Sequence, residues 1–239
     1  MNKPSKKRRG CLWWCVAICV LITTGGILVR AAINRGNNLG NQSAARNNCM
    51  QAIICLKIYA VNHDGLYPDG PVSNLKTANA AFRELFKEPI VTDERIFTSP
   101  FSIFKPDNLM GTPPEFAETL MPGENHWMLL KHQKDTSHPK MPIVIENSLI
   151  ASWPPRWDTT NGSFFGWWHG MRTAKGRCWP DGTVTVGRND GSVAVEILGP
   201  DGTLDWHSKN NLGPDGKSWI DTLSPEQIAQ LSYWDIEEK

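Results

Sequence analysis

Polar and apolar positions alternate along this chain in several distinct periods. The first is no alternation at all: Cys11 to Val29, CLWWCVAICVLITTGGILV, is nineteen residues without a charged side chain. As helix it would extend about 28 Å, close to the thickness of a hydrocarbon core, and it predicts a transmembrane segment. A second apolar pattern follows over Ser43 to Asn62, with one row at Cys49, Ile53, Leu56 and Ala60 and another at Ile54, Ile58 and Val61. Arg46, Asn47, Asn48, Gln51 and Lys57 supply its polar side, so the period is that of an amphipathic helix. His63-Asp64-Gly65 should end it, because glycine accepts the left-handed conformation of a helix C-cap. Gly36 to Asn41 is poor in helix propensity, so the two helices either run together through a soft point or break there.

Beyond residue 65 the periods shorten. Phe82, Leu85 and Phe86 place a helical apolar patch in ANAAFRELFKE, stopped by Pro89. Strands are predicted at His126 to Leu130, Met141 to Glu146, Ser163 to Trp168, Thr183 to Gly187 and Ser192 to Leu198. In the last two, Val184, Val186, Val193, Val195 and Ile197 recur at every second position, and Asn189-Asp190-Gly191 supplies a tight turn between them. Ser224-Pro225-Glu226-Gln227 opens a final helix with a capping box. Four copies of Pro-Asp-Gly, lacking a fixed period, are turns. The expected class is α+β: a long N-terminal helix, transmembrane and then amphipathic, packed on an antiparallel sheet. The domains are a basic leader at 1–10, a transmembrane helix at 11–29, a membrane-proximal segment and amphipathic helix at 30–62, and a globular domain at 63–239.

Charge orients this layout. The chain has 239 residues with 25 basic and 24 acidic side chains, yet nine basic residues and no acid lie before Asp64. Subtracting nine from 25 leaves 16 basic against 24 acidic residues, so the rest is net −8 and offers no basic surface for nucleic acid. Lys3, Lys6, Lys7, Arg8 and Arg9 precede the apolar run and should stay cytoplasmic, which in a bacterial host puts the remainder in the periplasm. The expected location is the inner membrane, crossed once. A cleaved secretory signal is the rival reading, but Ala31-Ala32 after Arg30 is a poor cleavage site. Cys11, Cys15 and Cys19 line one helical face, where small residues serve helix packing. Cys49, Cys55 and Cys178 follow the membrane run, and a disulfide to Cys178 stays open in an oxidising compartment.

No GxSxG, HExxH, GxGxxG or Walker loop is present. His132, Asp135 and His138 read as a solvated loop, and His169 with Asp158 is a weak acid–base candidate. Eleven tryptophans against three tyrosines is an unusual ratio. Trp153, Trp157, Trp167 and Trp168 are either core or a stacking surface for a sugar or protein partner. The second choice would make the chain a membrane-tethered binding module.

Asn47 to Gly65, NNCMQAIICLKIYAVNHDG, followed by LYP, resembles the segment after the membrane helix in type IV pilin-like proteins, in particular the type II secretion major pseudopilin-like group of the planctomycete-verrucomicrobial kind. Asn47, Asn48, Gln51, Leu56, Lys57, Tyr59, Ala60, Asp64, Gly65, Tyr67 and Pro68 match in register. Arg95 to Pro100 and Val184 to Val193 are weaker echoes, with Ser99 standing where the family has Cys. The resemblance implies a non-catalytic structural subunit of a secretion or pilus-like assembly, self-associating or packing with other pilin-like subunits through its N-terminal helix. It also implies prepilin processing between Gly10 and Cys11. In the family's cleavage motif, Cys11 occupies the Phe position and Cys15 the position of the Glu associated with assembly. A polymerising subunit and a permanently anchored head therefore both stand as expectations. Some relatives bind calcium near the C-terminal strands, which makes Asp201 and Asp205 the candidate ligands here; otherwise no cofactor is expected.

Overall fold

The computed structural model describes residues 6–68, 75–160 and 174–239; within the first stretch the side chains of 6–12, Cys15, Leu28, Ala31, Asn34 and Arg35 lie outside the description. Two compact units divide the chain, Met1–Asn41 and Gln42–Lys239. Helix α1, Lys6–Asn62, begins in the first and ends in the second. It passes through Gly36 to Asn41 without a break, because extending an existing helix costs far less than starting one. In the first unit Trp13, Trp14, Val16, Ile18, Leu21, Ile22 and Ile27 are all exposed, so apolar side chains point outward around the whole helix. Among the described residues no helix is long and apolar enough to cross a membrane. Cys11, Leu12, Cys15 and Leu28 of the nineteen-residue run are among the side chains outside that description.

The second unit is an α+β fold around a five-stranded antiparallel sheet of order β4-β3-β2-β1-β5. Its strands are β1 Trp127–Leu130, β2 Pro142–Glu146, β3 Thr183–Arg188, β4 Val193–Ile197 and β5 Tyr233–Trp234. Alternation sends Trp127 and Leu129 to one face and Met128 and Leu130 to the other. On β2 the register against β3 shifts between Pro142 and Val144. That bulge turns both Ile143 and Val144 to the same face.

Both faces are buried, by different materials. Over one face lie Ala45, Cys49, Ala52, Ile53, Leu56 and Ala60 of α1 together with Ala81, Phe82, Leu85 and Phe86 of α2, Ala78–Lys87. Thr77 caps α2, its hydroxyl accepting from Ala80 N at 3.1 Å. The helix–sheet contact is closest at Gly187, where a Cβ would stand 2.4 Å from Ile53 Cδ1 and 2.6 Å from Cys49 Sγ. Over the opposite face lie Trp157, Cys178, Leu204, Trp206, Trp219 and Ile236, carried mainly by irregular segments after β2. The sequence predicts one helix-covered face, and the second core is a finding of the structure. Helix α3, Pro225–Gln230, carries the expected capping box on Ser224 and Gln227.

Strand β5 is too short for any sequence period, and it exists because β1 offers it an unpaired edge: Leu129 pairs with Trp234 and Leu130 with Tyr233. The expected strand at Ser163 to Trp168 lies outside the described residues. Cys49 and Cys55 lie on the helix side of the sheet and Cys178 in the core on its opposite face, so the disulfide to Cys178 that the sequence left open is not made.

Candidate functional site

In the part of α1 that belongs to the second unit, four large apolar side chains are left out of the helix-side core: Met50, Ile54, Ile58 and Val61, exposed by 41, 47, 47 and 81%. Their spacing of four, four and three residues keeps them on one stripe. Cys49, Ile53, Leu56 and Ala60, one turn of the wheel away, are fully buried. The row Ile54, Ile58 and Val61 is visible in the sequence and Met50 extends it; the structure shows that only the Cys49 row meets the sheet. Burying a large aliphatic side chain is worth roughly 1.5–3 kcal/mol, so a row of four exposed ones is an attractive surface for another helix.

The residues of the NNCMQAIICLKIYAVNHDG segment hold this helix in place. Asn48 donates its Nδ2 to the Arg95 and Thr98 carbonyls at 3.1 and 2.9 Å, tying the helix to a 3-10 turn at Glu94–Phe97. Tyr59 stacks on His63 with ring centroids 3.7 Å apart. Gly65 takes φ +78 and donates its amide to Ala60 O at 2.9 Å, closing the helix end. Tyr67 then donates its hydroxyl to Asn189 Oδ1 at 2.5 Å, fastening the outgoing chain to the β3–β4 turn. At the other end Gln42 donates to Asp181 Oδ2 and Thr183 Oγ1 at 2.8 and 3.1 Å. The stripe is thus presented on a helix fixed along its length from Gln42 to Tyr67.

A second constellation escaped sequence reasoning because its members are far apart in the chain. Ser102, His126, Glu146 and Asn147 meet at the ends of β1 and β2, all nearly without solvent exposure. Asn147 Oδ1 accepts from Gly176 N at 2.8 Å, so its Nδ2 faces His126 Nδ1, also at 2.8 Å. Ser102 Oγ accepts from Phe104 N at 3.0 Å and donates its proton to the same Nδ1 at 2.8 Å. Two donors on Nδ1 put the imidazole proton on Nε2, which faces Glu146 Oε2 at 4.0 Å and among the described residues has no hydrogen-bond partner. Burial lowers the His126 pKa to about 3, helped by Lys105, and burial raises that of Glu146 to about 7. The pair is therefore a neutral imidazole beside a carboxyl, not a salt bridge. Serine, histidine and glutamate together suggest acyl-transfer chemistry, but these three offer no atom to an outside molecule and brace the strand ends instead.

The remaining candidates fall as follows. Asp201 accepts from Thr203 N and Oγ1 at 3.1 and 2.8 Å, and Asp205 from His207 N at 2.9 Å, each shaping its own turn. Among the described residues no third side-chain ligand converges on either. Trp157, 2% exposed, donates its indole N–H to Asn147 O at 3.0 Å. Trp153 is half-buried, 4.6 Å from Trp206 and 5.3 Å from Trp219 by ring centroids. Both belong to the second core more than to a stacking platform. Trp167, Trp168 and His169 lie outside the described residues, as do the side chains of Gly10, Cys11 and Cys15. Asp158 accepts from Thr160 N and Oγ1 at 2.9 and 2.5 Å. His132, Asp135 and His138 stay in the loop between β1 and β2.

No family model, no curated protein and no solved structure matches this chain.

Proposed function

We propose that this chain is a membrane-anchored, non-catalytic pilin-like subunit whose N-terminal helix packs against the same helix of further copies. The observation that carries the reading is the exposed row Met50, Ile54, Ile58 and Val61, an apolar stripe on a helix whose other row is already used by the sheet. The exposed apolar surface of Trp13 to Val29 supports it, since a helix greasy on every side suits lipid. The basic residues before Cys11 orient the globular unit to the periplasm. Its work would be mechanical: the membrane stores subunits, and helix packing recruits them into an assembly of the secretion or pilus kind.

Crosslinking in native membranes tests this. A photoreactive side chain at Ile54 or Ile58 is expected to give dimers and higher ladders of this chain, whereas one at the exposed Glu226 of α3 is not. Substituting Ile54→Asp together with Ile58→Asp should abolish the ladder and leave the circular dichroism of the globular unit intact. Monomer alone from all positions would defeat the proposal. Intact mass of the membrane-extracted protein separates its two forms: a start at Cys11 marks prepilin processing, and a start at Met1 a retained anchor.

A further inference from the structure

Away from the helix stripe, three carboxylates converge from separate segments. Glu94 opens the 3-10 turn at Glu94–Phe97, Asp107 lies in the loop that follows, and Glu124 lies just before β1. One oxygen from each lies within 4.8 Å of the others; Glu94 and Glu124 are buried and Asp107 is exposed. Glu94 Oε1 accepts from Leu120 N at 2.6 Å and Glu124 Oε2 from Met121 N at 2.7 Å. Asp107 Oδ1 accepts from Leu109 N at 2.8 Å. These amides fix the carboxylates without neutralising them.

Glu94 Oε2 is the independent observation. Its residue has no solvent exposure, and among the described residues this oxygen has no hydrogen-bond partner of normal geometry. A buried oxygen left so costs roughly 1–3 kcal/mol, more when charged, unless something outside the hydrogen-bond network meets it. Nearby cations do not. Arg83 gives its Nε to Thr119 O at 2.8 Å, and Lys239 lies beside Gly123; among the described residues neither forms an ion pair within 4.0 Å with any of the three acids.

We infer that Glu94, Asp107 and Glu124 bind a divalent cation of the hard, oxygen-seeking kind, with calcium the best match in size. An ion centred among three oxygens at that 4.8 Å limit would sit about 2.8 Å from each, so calcium, with bonds of about 2.3–2.6 Å, needs the carboxylates to draw in by only a few tenths of an ångström. Magnesium, with bonds of about 2.1 Å and strict octahedral demands, would need the cluster to close further. The exposure of Asp107 gives the ion a way in and leaves room for water to complete its shell. Burial, reinforced by neighbouring acids, raises the pKa of both Glu94 and Glu124, while Lys239 and Arg83 pull that of Glu124 the other way. The site is separate from the turns of Asp201 and Asp205.

The test is calorimetric titration of the full chain in mild detergent with calcium chloride at pH 7.5, alongside thermal unfolding with and without the ion. One saturable site is expected, with a dissociation constant in the range of about 0.1–1 mM found for extracellular modules, and a higher unfolding temperature with calcium. Asp107→Asn, a surface change that should not disturb folding, should weaken binding by about tenfold or more. Glu94→Gln should abolish it. Should Glu94→Gln fail to fold, Asp107→Asn alone decides. Absence of calcium binding up to about 10 mM, well above that range, would overturn the assignment. An affinity unchanged in Asp107→Asn would overturn it by placing the ion elsewhere.

Discussion

His126 and Glu146 face each other inside the fold, and their opposite displacements shape how stability responds to pH. Glu146 has its pKa raised from 4.5 to about 7, so the native state holds its proton more tightly than the unfolded chain does. Its contribution is full below pH 4.5 and is lost as pH rises through 7. His126 has its pKa lowered from 6.5 to about 3, so its contribution is full above pH 6.5 and is lost as pH falls through 3. Between 4.5 and 6.5 the two slopes oppose, and the pair adds a flat plateau. Glu146→Gln keeps an acceptor for the Trp179 indole N–H, which lies 2.7 Å from Oε1. This variant should lose the plateau and gain about 3 kcal/mol between pH 4.5 and 6.5, read by urea unfolding at several pH values. None of this was legible in the sequence. Ser102, His126 and Glu146 follow no spacing rule, and only the antiparallel pairing of Trp127 with Glu146 brings strand ends together. The same distance in sequence hid Glu94, Asp107 and Glu124.

At the scale of elements, α1 and β3 approach so closely at Gly187 that no side chain fits between them. A Cβ there would also stand 3.3 Å from Val144 O, so relief in one direction is blocked by backbone. Gly187→Ala should therefore push the helix off the sheet and cost about 1–3 kcal/mol, measured as a lower denaturant midpoint at unchanged m-value. Helix α1 from residue 43, α2, α3 and the strands β1 to β4 were all legible, since each carries a period, a cap or a turn that local chemistry enforces. Strand ends moved by a residue or two. What stayed hidden is what local chemistry does not encode: β5, recruited by an open edge, and the covering of the second sheet face by segments with no period of their own. The surplus of tryptophan was the visible trace of that cover, since Trp157, Trp206 and Trp219 fill it with bulk where regular helices are missing.

Across the whole molecule, the two compact units make different demands. Residues 42–239 hold both cores and every described strand, so removing residues 1–41 should leave a folded, monodisperse protein with the near-ultraviolet circular dichroism of the parent. The full chain should sediment with membranes and the shortened one should not; recovery of the full chain in the soluble fraction would remove the anchor from the proposed function. The structure divides the chain at Asn41 and Gln42, inside the stretch 30–62 that the sequence grouped as one segment, because the helix meets the sheet only from Gln42 onward. That Ile54 and Ile58 would stay exposed was not legible, because a row of isoleucines looks the same in sequence whether it is covered or not.

The two-sided sheet has a practical corollary for the shortened chain. It retains three thiols: Cys49 sealed under the helix, Cys178 sealed under the tryptophan cover, and Cys55 half-open on α1. Burial raises the thiol pKa of Cys49 steeply and that of Cys55 less. An alkylating reagent would thus tag position 55 in minutes, then wait for rare openings to reach the other two, and their separate labelling clocks would report which side of the protein lifts first.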